Sequence, residues 1–275
     1  MHTAFLTLLT LLVPFGLCLA EADGKGEGNS PEESSDRRLR VISYNIHHGE
    51  GTDGKFDLER IAKVISDHRP DLVAVQEVDV KTDRSKGVDQ AAELARLTGM
   101  HYAFGKFMDY RGGEYGQMVL SKFPILKQRN LELPRGPEPR AALVVDVEVP
   151  RAGKGIPLTL VACHFYATEA ERSAQARRVT ELLAPEIESG KPVVLAGDLN
   201  STPGSKPMGI LTKTWVDPTA KIDRRTWPSD RPRVEIDHIL YRPAARFKFV
   251  KSKVVIEKVA SDHRPVVTVL ELKGD

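Results

Sequence analysis

Val193-Val194-Leu195-Ala196-Gly197-Asp198-Leu199-Asn200 decides how the chain is read. Its four successive apolar residues suit a short strand buried on both faces, as in a sheet covered on both sides. Asp198 and Asn200 are poor strand residues, placed where such a strand would stop. The same form recurs three times. Arg38–Asn45 (RLRVISYN) ends at Asn45, Asp71–Glu77 (DLVAVQE) at Glu77, and Leu158–His164 (LTLVACH) at His164. Each polar terminus alone could cap its strand and meet water. Together, on one edge of a sheet, they could share a cleft, because strand ends on one edge converge.

Helical patterns lie between these strands. Asp57 is placed to cap a helix whose apolar residues, Leu58, Ile61, Val64 and Ile65, follow helical spacing, and Pro70 stops it. Val88 to Leu97 reads as a second helix closed by Gly99, and Ala170 to Ile187 as a third with Arg172, Arg177 and Arg178 on its polar face. Further strands are expected over 117–121, 141–149, 234–241 and 266–272. Gly112–Gln117 should form a loop at a cleft edge, with Tyr115 there to touch substrate or to pack. Strand–helix alternation followed by hairpin-like strands predicts a layered α/β sandwich in one domain.

Two late segments add chemistry. Val234–Leu240 (VEIDHIL) puts Asp237 inside an apolar strand, where a lone carboxylate is costly unless paired. Ser261-Asp262-His263 stands just before the last strand. A buried Asp facing a His fixes the imidazole tautomer and raises its basicity, so Asp237 is the expected partner of His263. A structural ion pair within the core is the plainer alternative.

The ordered set YN (44–45), QE (76–77), GDLN (197–200), IDH (236–238) and SDH (261–263) resembles the endonuclease/exonuclease/phosphatase superfamily, whose fold is shared by pancreatic deoxyribonuclease and the apurinic endonucleases. The resemblance runs over 38–272. It implies a four-layer α/β sandwich, two packed mixed sheets flanked by helices, that cleaves phosphate esters with Mg²⁺ or Mn²⁺. Carried over by position, Glu77 resembles the principal metal ligand, assisted by Asn45, with Asp262 a second acid near the metal. Asp198 and Asn200 resemble the residues that orient the attacking water and bind phosphate. His263, held by Asp237, resembles the residue that contacts the scissile phosphate or exchanges its proton. His164 resembles a general acid for the leaving oxygen, and Arg140 a phosphate-binding arginine.

The match departs at YNIHHG, where His47 stands in place of a carboxylate found in some relatives. His47 and His48 could add nitrogen ligands and favour Mn²⁺ or Zn²⁺; alternatively they line the substrate cleft, with His47 there to bind substrate, or sit in the solvated loop. Asn200 is followed by Ser201-Thr202-Pro203 rather than the aromatic-rich stretch of inositol polyphosphate phosphatases, and His164-Phe165-Tyr166 lacks the His-x-Gln of bacterial sphingomyelinases. What remains resembles the secreted bacterial hydrolases of the superfamily. Trp215 and Trp227 are spaced too widely to predict a base-stacking platform.

The chain's ends fit export. Residues 1–20 are almost uninterruptedly apolar, and cleavage after Ala20 or Ala22 would follow the small-x-small pattern of a signal peptide. No Lys or Arg precedes the apolar run, which leaves an uncleaved membrane anchor as the alternative. Residues 21–37 are a polar, acidic linker unable to bury a core, and 38–275 form the catalytic domain. A secreted or periplasmic location follows. Cleavage would leave Cys163 as the single cysteine, which excludes an internal disulfide and a cysteine-ligated zinc. The chain holds 40 Lys+Arg and 38 Asp+Glu. Residues 21–36 take one base and six acids of these, so 39 bases face 32 acids afterwards, a net of +7. That mildly attracts anionic substrates without forming the dense basic stripe of a committed DNA binder.

The expected activity is divalent-metal-dependent hydrolysis of phosphate esters, whether of nucleic acid, lipid or sugar phosphate, by a monomer with no stable protein partner. Two other readings stand beside it: a catalytically silent binding module on the same fold, and a metal hydrolase acting on a non-phosphate ester.

Overall fold

The structure, a computed structural model, describes residues 1–2, 38–151, 154–219 and 224–274; the expected signal peptide and linker lie outside the described residues save for Met1 and His2. Eleven strands, numbered in chain order, make two sheets. The first contains β1 (Arg38–Asn45), β2 (Leu72–Val80), β3 (His101–Tyr110), β4 (Gly113–Ser121), β10 (Phe247–Val254) and β11 (Val266–Leu272), ordered β10-β11-β1-β2-β4-β3. The second contains β5 (Ile125–Glu132), β6 (Ala141–Val149), β7 (Ile156–His164), β8 (Val193–Asp198) and β9 (Asp237–Arg242), ordered β5-β6-β7-β8-β9. Each sheet has one parallel pair, β1–β2 and β7–β8, among antiparallel neighbours.

The period-2 alternation of side chains sorts each central strand between two cores. On β1, Leu39 and Val41 face the second sheet, in a core that also holds Leu143, Val145, Leu160 and Ala196. Ile42 and Tyr44 face the other way, towards α1 (Leu58–Ser66) and α2 (Gln90–Thr98) through Ile61, Ile65 and Leu94. On the second sheet, Val161 and Leu195 pack outward against α3 (Glu169–Leu182) and α5 (Lys206–Leu211) through Val179 and Leu211. The layers therefore run helix, sheet, sheet, helix, the four-layer sandwich expected. Among the described residues no helix is long and apolar enough to cross a membrane.

Several local expectations hold. The Asp57 carboxylate accepts the Arg60 N–H at 2.9 Å and caps α1. Gly99 closes α2 at φ +67°, a left-handed conformation in which a Cβ is disfavoured. Others are corrected. The single helix expected to Ile187 is two, α3 and α4 (Ala184–Glu188), broken at Leu183, where the first turn of α4 carries Pro185. The strand expected from Val234 begins at Asp237, because Val234 bridges to Trp227 instead. The expected loop 112–117 is mostly β4, which leaves only a tight turn at Arg111-Gly112. β3, β5 and β10 were not foreseen at all.

Candidate active site

Sheet register assembles the first half of the site. His164 on β7 pairs with Asp198 on β8, and Asp198 pairs with Asp237 on β9, so three strands present these side chains in one row on the same face. Two carboxylates directly opposite one another repel, and here both are buried. His263 resolves the conflict from the loop before β11. Its Nδ1 lies 3.0 Å from Asp237 Oδ2, and its Nε2 lies 3.7 Å from Asp198 Oδ2. The orienting pair expected from the sequence is thus formed.

The loop that carries His263 is itself fixed. Ser261 Oγ donates to the Asn45 carbonyl at 2.7 Å and accepts the His263 backbone N–H at 3.2 Å. This ties the end of β1 in one sheet to the His164–Asp198–Asp237 row of the other. Asn45 extends the link, because its Nδ2 donates to Glu77 Oε1 at 3.0 Å and to Asp198 Oδ2 at 3.1 Å.

Glu77 reaches the cleft through a backbone irregularity. The β2–β4 register pairs Gln76 with Gln117 and Val78 with Gly116, which leaves Glu77 as an extra residue in a bulge. Its φ is +60°, unusual for a residue with a Cβ. A bulge re-aims a side chain, and strain of this kind collects at functional sites. Asn200 is similar, with φ +47°. Its backbone N–H donates to Asp198 Oδ1 at 2.9 Å, its Nδ2 donates to the Phe165 carbonyl at 2.9 Å, and Nδ2 lies 3.3 Å from His164 Nε2.

These elements surround a cleft of about 470 Å³ lined by Glu77, Arg140, His164, Asp198, Asn200 and His263. Tyr115 also lines it, although it sits on a strand rather than a loop. Asp237 and Asn45 lie behind the lining and act on it through His263, Asp198 and Glu77. Asp262 stands at the rim, where its Oδ2 accepts the Trp227 indole N–H at 3.1 Å. His47 is placed differently from expectation. Its ring Nδ1 lies 3.0 Å from the Glu50 carbonyl within its own loop, and it does not line the cleft. His47 and His48 both have positive φ, +46° and +45°, in the tight turn that carries them. Glu138, Tyr166, Trp227, Val234 and Ile236 complete the lining and were not singled out as cleft residues from sequence. All five lie in connecting segments. Their sequence signals were indirect: Glu138 stands two residues before Arg140, and Val234 and Ile236 lie just before Asp237 in VEIDHIL.

Electrostatics sort the roles. Burial works against a charge on His263, but Asp237 and then Asp198 outweigh it and push the imidazole up to about 10. Burial, reinforced by Asp237, pushes Asp198 above the usual carboxylate range. His164 moves the other way. Burial, then the charges of Arg140 and His263, hold it well below the usual imidazole range, so it is neutral at pH 7. Its Nε2 is 3.5 Å from Asp198 Oδ2. Arg140 is buried with its Cζ 5.0 Å from the Phe107 ring centroid and 4.9 Å from that of Tyr166. It is paired with Glu138 at 3.0 Å, and its Nε has no partner. A buried fork with a spare N–H is suited to an anionic oxygen.

The donor set also bears on a metal. Among the described residues, ligand atoms of three His or acidic groups fall within 4.8 Å of one another in two sets, Asp198–Asp237–His263 and Asp217–Glu235–His238. In the first, one Asp237 oxygen and the imidazole are already joined by a hydrogen bond. In the second, one guanidinium nitrogen of Arg224 bridges Asp217 and Glu235, at 3.4 and 2.5 Å, and already occupies those carboxylates. Glu77 and Asp262 belong to neither set. They offer sparse, hard oxygen donors rather than a full protein cage, which suits a cation that keeps waters and takes substrate oxygens, as Mg²⁺ does.

Comparison with known proteins agrees with this architecture. The chain is 26% identical over 255 residues to the uncharacterised Escherichia coli protein YbhP, covering 88% of this chain and all of that one. It is 26% identical over 196 residues to a Schizosaccharomyces pombe inositol phosphosphingolipids phospholipase C, covering 63% of this chain and 44% of that protein. A solved endonuclease/exonuclease/phosphatase from Beutenbergia cavernae superposes with a TM-score of 0.70 at 27% identity, covering 86% of this chain and 72% of that one. The family model for endonucleases, exonucleases and phosphatases matches residues 42–263, a span from β1 to His263 that takes in every motif of the cleft, and the chain belongs to the endonuclease/exonuclease/phosphatase family.

Proposed function

We propose that the chain hydrolyses phosphate esters with a divalent cation, Mg²⁺ or Mn²⁺, held by Glu77 with help from Asn45 and Asp262. Endonucleases, exonucleases and phosphatases share hydrolysis of a phosphate ester, so the family supports that reaction class. The observation that carries the reading for this cleft is the His263–Asp237 pair, set against Asp198, with Arg140 and Glu77 on the same lining.

Arg140 binds a phosphoryl oxygen through its free N–H, and the protonated His263 binds another. The cation, when bound, neutralises phosphoryl charge as a Lewis acid. Asp198 accepts a proton from the attacking water; its raised proton affinity suits a base near neutral pH. Asn200 and Asn45 hold the two Asp198 oxygens in place. His164 is neutral in the free cleft. Phosphate anion beside it raises its proton affinity, so that it takes up a proton from solvent as the substrate binds and donates that proton to the leaving oxygen, while the proton of the attacking water stays on Asp198 until product leaves.

The test is metal removal. Chelation of the purified protein should abolish release of p-nitrophenol from p-nitrophenyl phosphate and from its bis ester. Added Mg²⁺ or Mn²⁺ should restore release from at least one of them. Undiminished activity in excess chelator would overturn the metal's role. Inactivity on both esters with metal present would count against the reaction class.

Secretion or periplasmic placement belongs to the same reading, supported by the apolar segment 1–20. The intact mass of the exported chain checks it. Loss of about the first 20 to 22 residues is expected of a cleaved signal, and a full-length mass would point to the anchor instead.

A further inference from the structure

The chain has two tryptophans, and the structure gives them opposite fates. Trp215 is a core residue, 2% exposed, with its indole N–H donating to Thr180 Oγ1 at 3.1 Å. Trp227 is 41% exposed and lines the cleft beside His263.

Trp227 is also held in place. Its backbone N–H donates to the Val234 carbonyl at 3.2 Å and its carbonyl accepts the Val234 N–H at 3.0 Å, an antiparallel bridge. Its indole N–H donates to Asp262 Oδ2 at 3.1 Å, which fixes the ring's rotation. The ring, Val234 and Ile236 thus form an apolar wall beside the phosphate-binding residues. Among the described residues Arg140 is the only Lys or Arg on the lining, and Glu77, Glu138 and Asp198 add negative charge. A groove for a nucleic-acid strand needs a row of cations along its length. A cleft of about 470 Å³ instead has the size of a small-molecule site.

The geometry points to Trp227 as a specificity-determining platform, which stacks a ring on the alcohol side of a small phosphate ester. The substrate class is a phosphate ester of an uncharged ring-bearing alcohol rather than a polyanion. This deepens the phosphate-ester reading above and rests on it. The ring lies over the indole while the phosphate sits between Arg140 and His263.

Binding of two non-hydrolysable probes, phenylphosphonate and methylphosphonate, tests this by calorimetry with Mg²⁺ present. The wild-type chain should prefer phenylphosphonate by about tenfold or more, the scale of one aromatic stack. Trp227→Ala should remove most of that preference, read as the ratio of the two affinities so that any change at the cation from freeing Asp262 cancels. Trp227→Phe, which keeps a ring but loses the N–H, should retain most of it. Trp227→Leu, apolar without an aromatic face, carries the same test should the Ala variant not fold, and is expected to lose the preference. Equal affinity for the two probes in the wild type, or an unchanged preference in the Ala or Leu variant, overturns the platform alone. Failure of the wild type to bind either probe overturns the phosphate-ester reading and the platform with it.

Discussion

Replacement of His263 by Ala is expected to lower turnover of a phosphate ester by about 10³-fold, within the 10²–10⁴ range of a positioned proton-transfer or charge-stabilising group. The size of the effect follows from the arrangement around the ring. His263 is protonated at neutral pH because Asp237 and Asp198 outweigh its burial. Its loss removes a cation from the phosphate site and leaves two buried carboxylates facing each other across β8 and β9. Removing one partner of a buried pair is destabilising, by about 3–5 kcal/mol. Protonation of Asp198 or Asp237 would relieve part of that cost, so the variant should fold with a lowered melting temperature. Asp237→Asn separates the two effects. It keeps the geometry but withdraws the charge that holds the proton on His263, so activity should fall with less loss of stability. Near-wild-type turnover in His263→Ala, measured at saturating substrate and metal, would remove His263 from the mechanism.

Glu77 gives the second large effect, and its two consequences point in opposite directions. Glu77→Gly should abolish metal-dependent activity, by about 10³-fold or more. The same change should leave the melting temperature unchanged or raise it. Glu77 sits at φ +60° in a bulge, where a residue with a Cβ is strained by about 1–3 kcal/mol and glycine is not. The carboxylate's hydrogen bond from Asn45 is lost in exchange, but Asn45 Nδ2 keeps its bond to Asp198. A variant that is inactive yet no less stable is what a residue retained for chemistry should give. A large drop in melting temperature with activity retained would show Glu77 to be structural.

Much of this was legible in the sequence, for physical reasons. β1, β2, β6, β7, β8 and β11 are buried on both faces and so carry the continuous β-branched runs that announce a strand. β3, β5 and β10 escaped. Each lies at the edge of a sheet; β5 and β10 are kept polar against aberrant pairing, and β3 alternates buried and half-buried residues around Gly105 with no continuous apolar run. Lys248, Lys251 and Lys253 on β10 and Lys127 and Arg129 on β5 have that character. The chemical row was legible because it sits at strand ends, where a polar residue after an apolar run stands out. His47 was not, because nothing in YNIHHG reveals the positive φ at which it stands. The cleft walls were hidden for a similar reason. Trp227, Tyr166 and Glu138 lie in connecting segments with no periodic pattern, and only the folded hairpin from Trp227 to Val234 brings the indole beside Asp262.

Hydrolysis of a phosphate ester with a Glu77-held cation is checked by stripping the wild type and Glu77→Gln of metal and titrating both with Mn²⁺ while following hydrolysis of bis(p-nitrophenyl) phosphate and p-nitrophenyl phosphate. Mn²⁺ should restore hydrolysis of at least one ester in the wild type, while the variant, equally well folded, stays about 10³-fold slower at every concentration. Identical Mn²⁺ activation curves for the two proteins would contradict it.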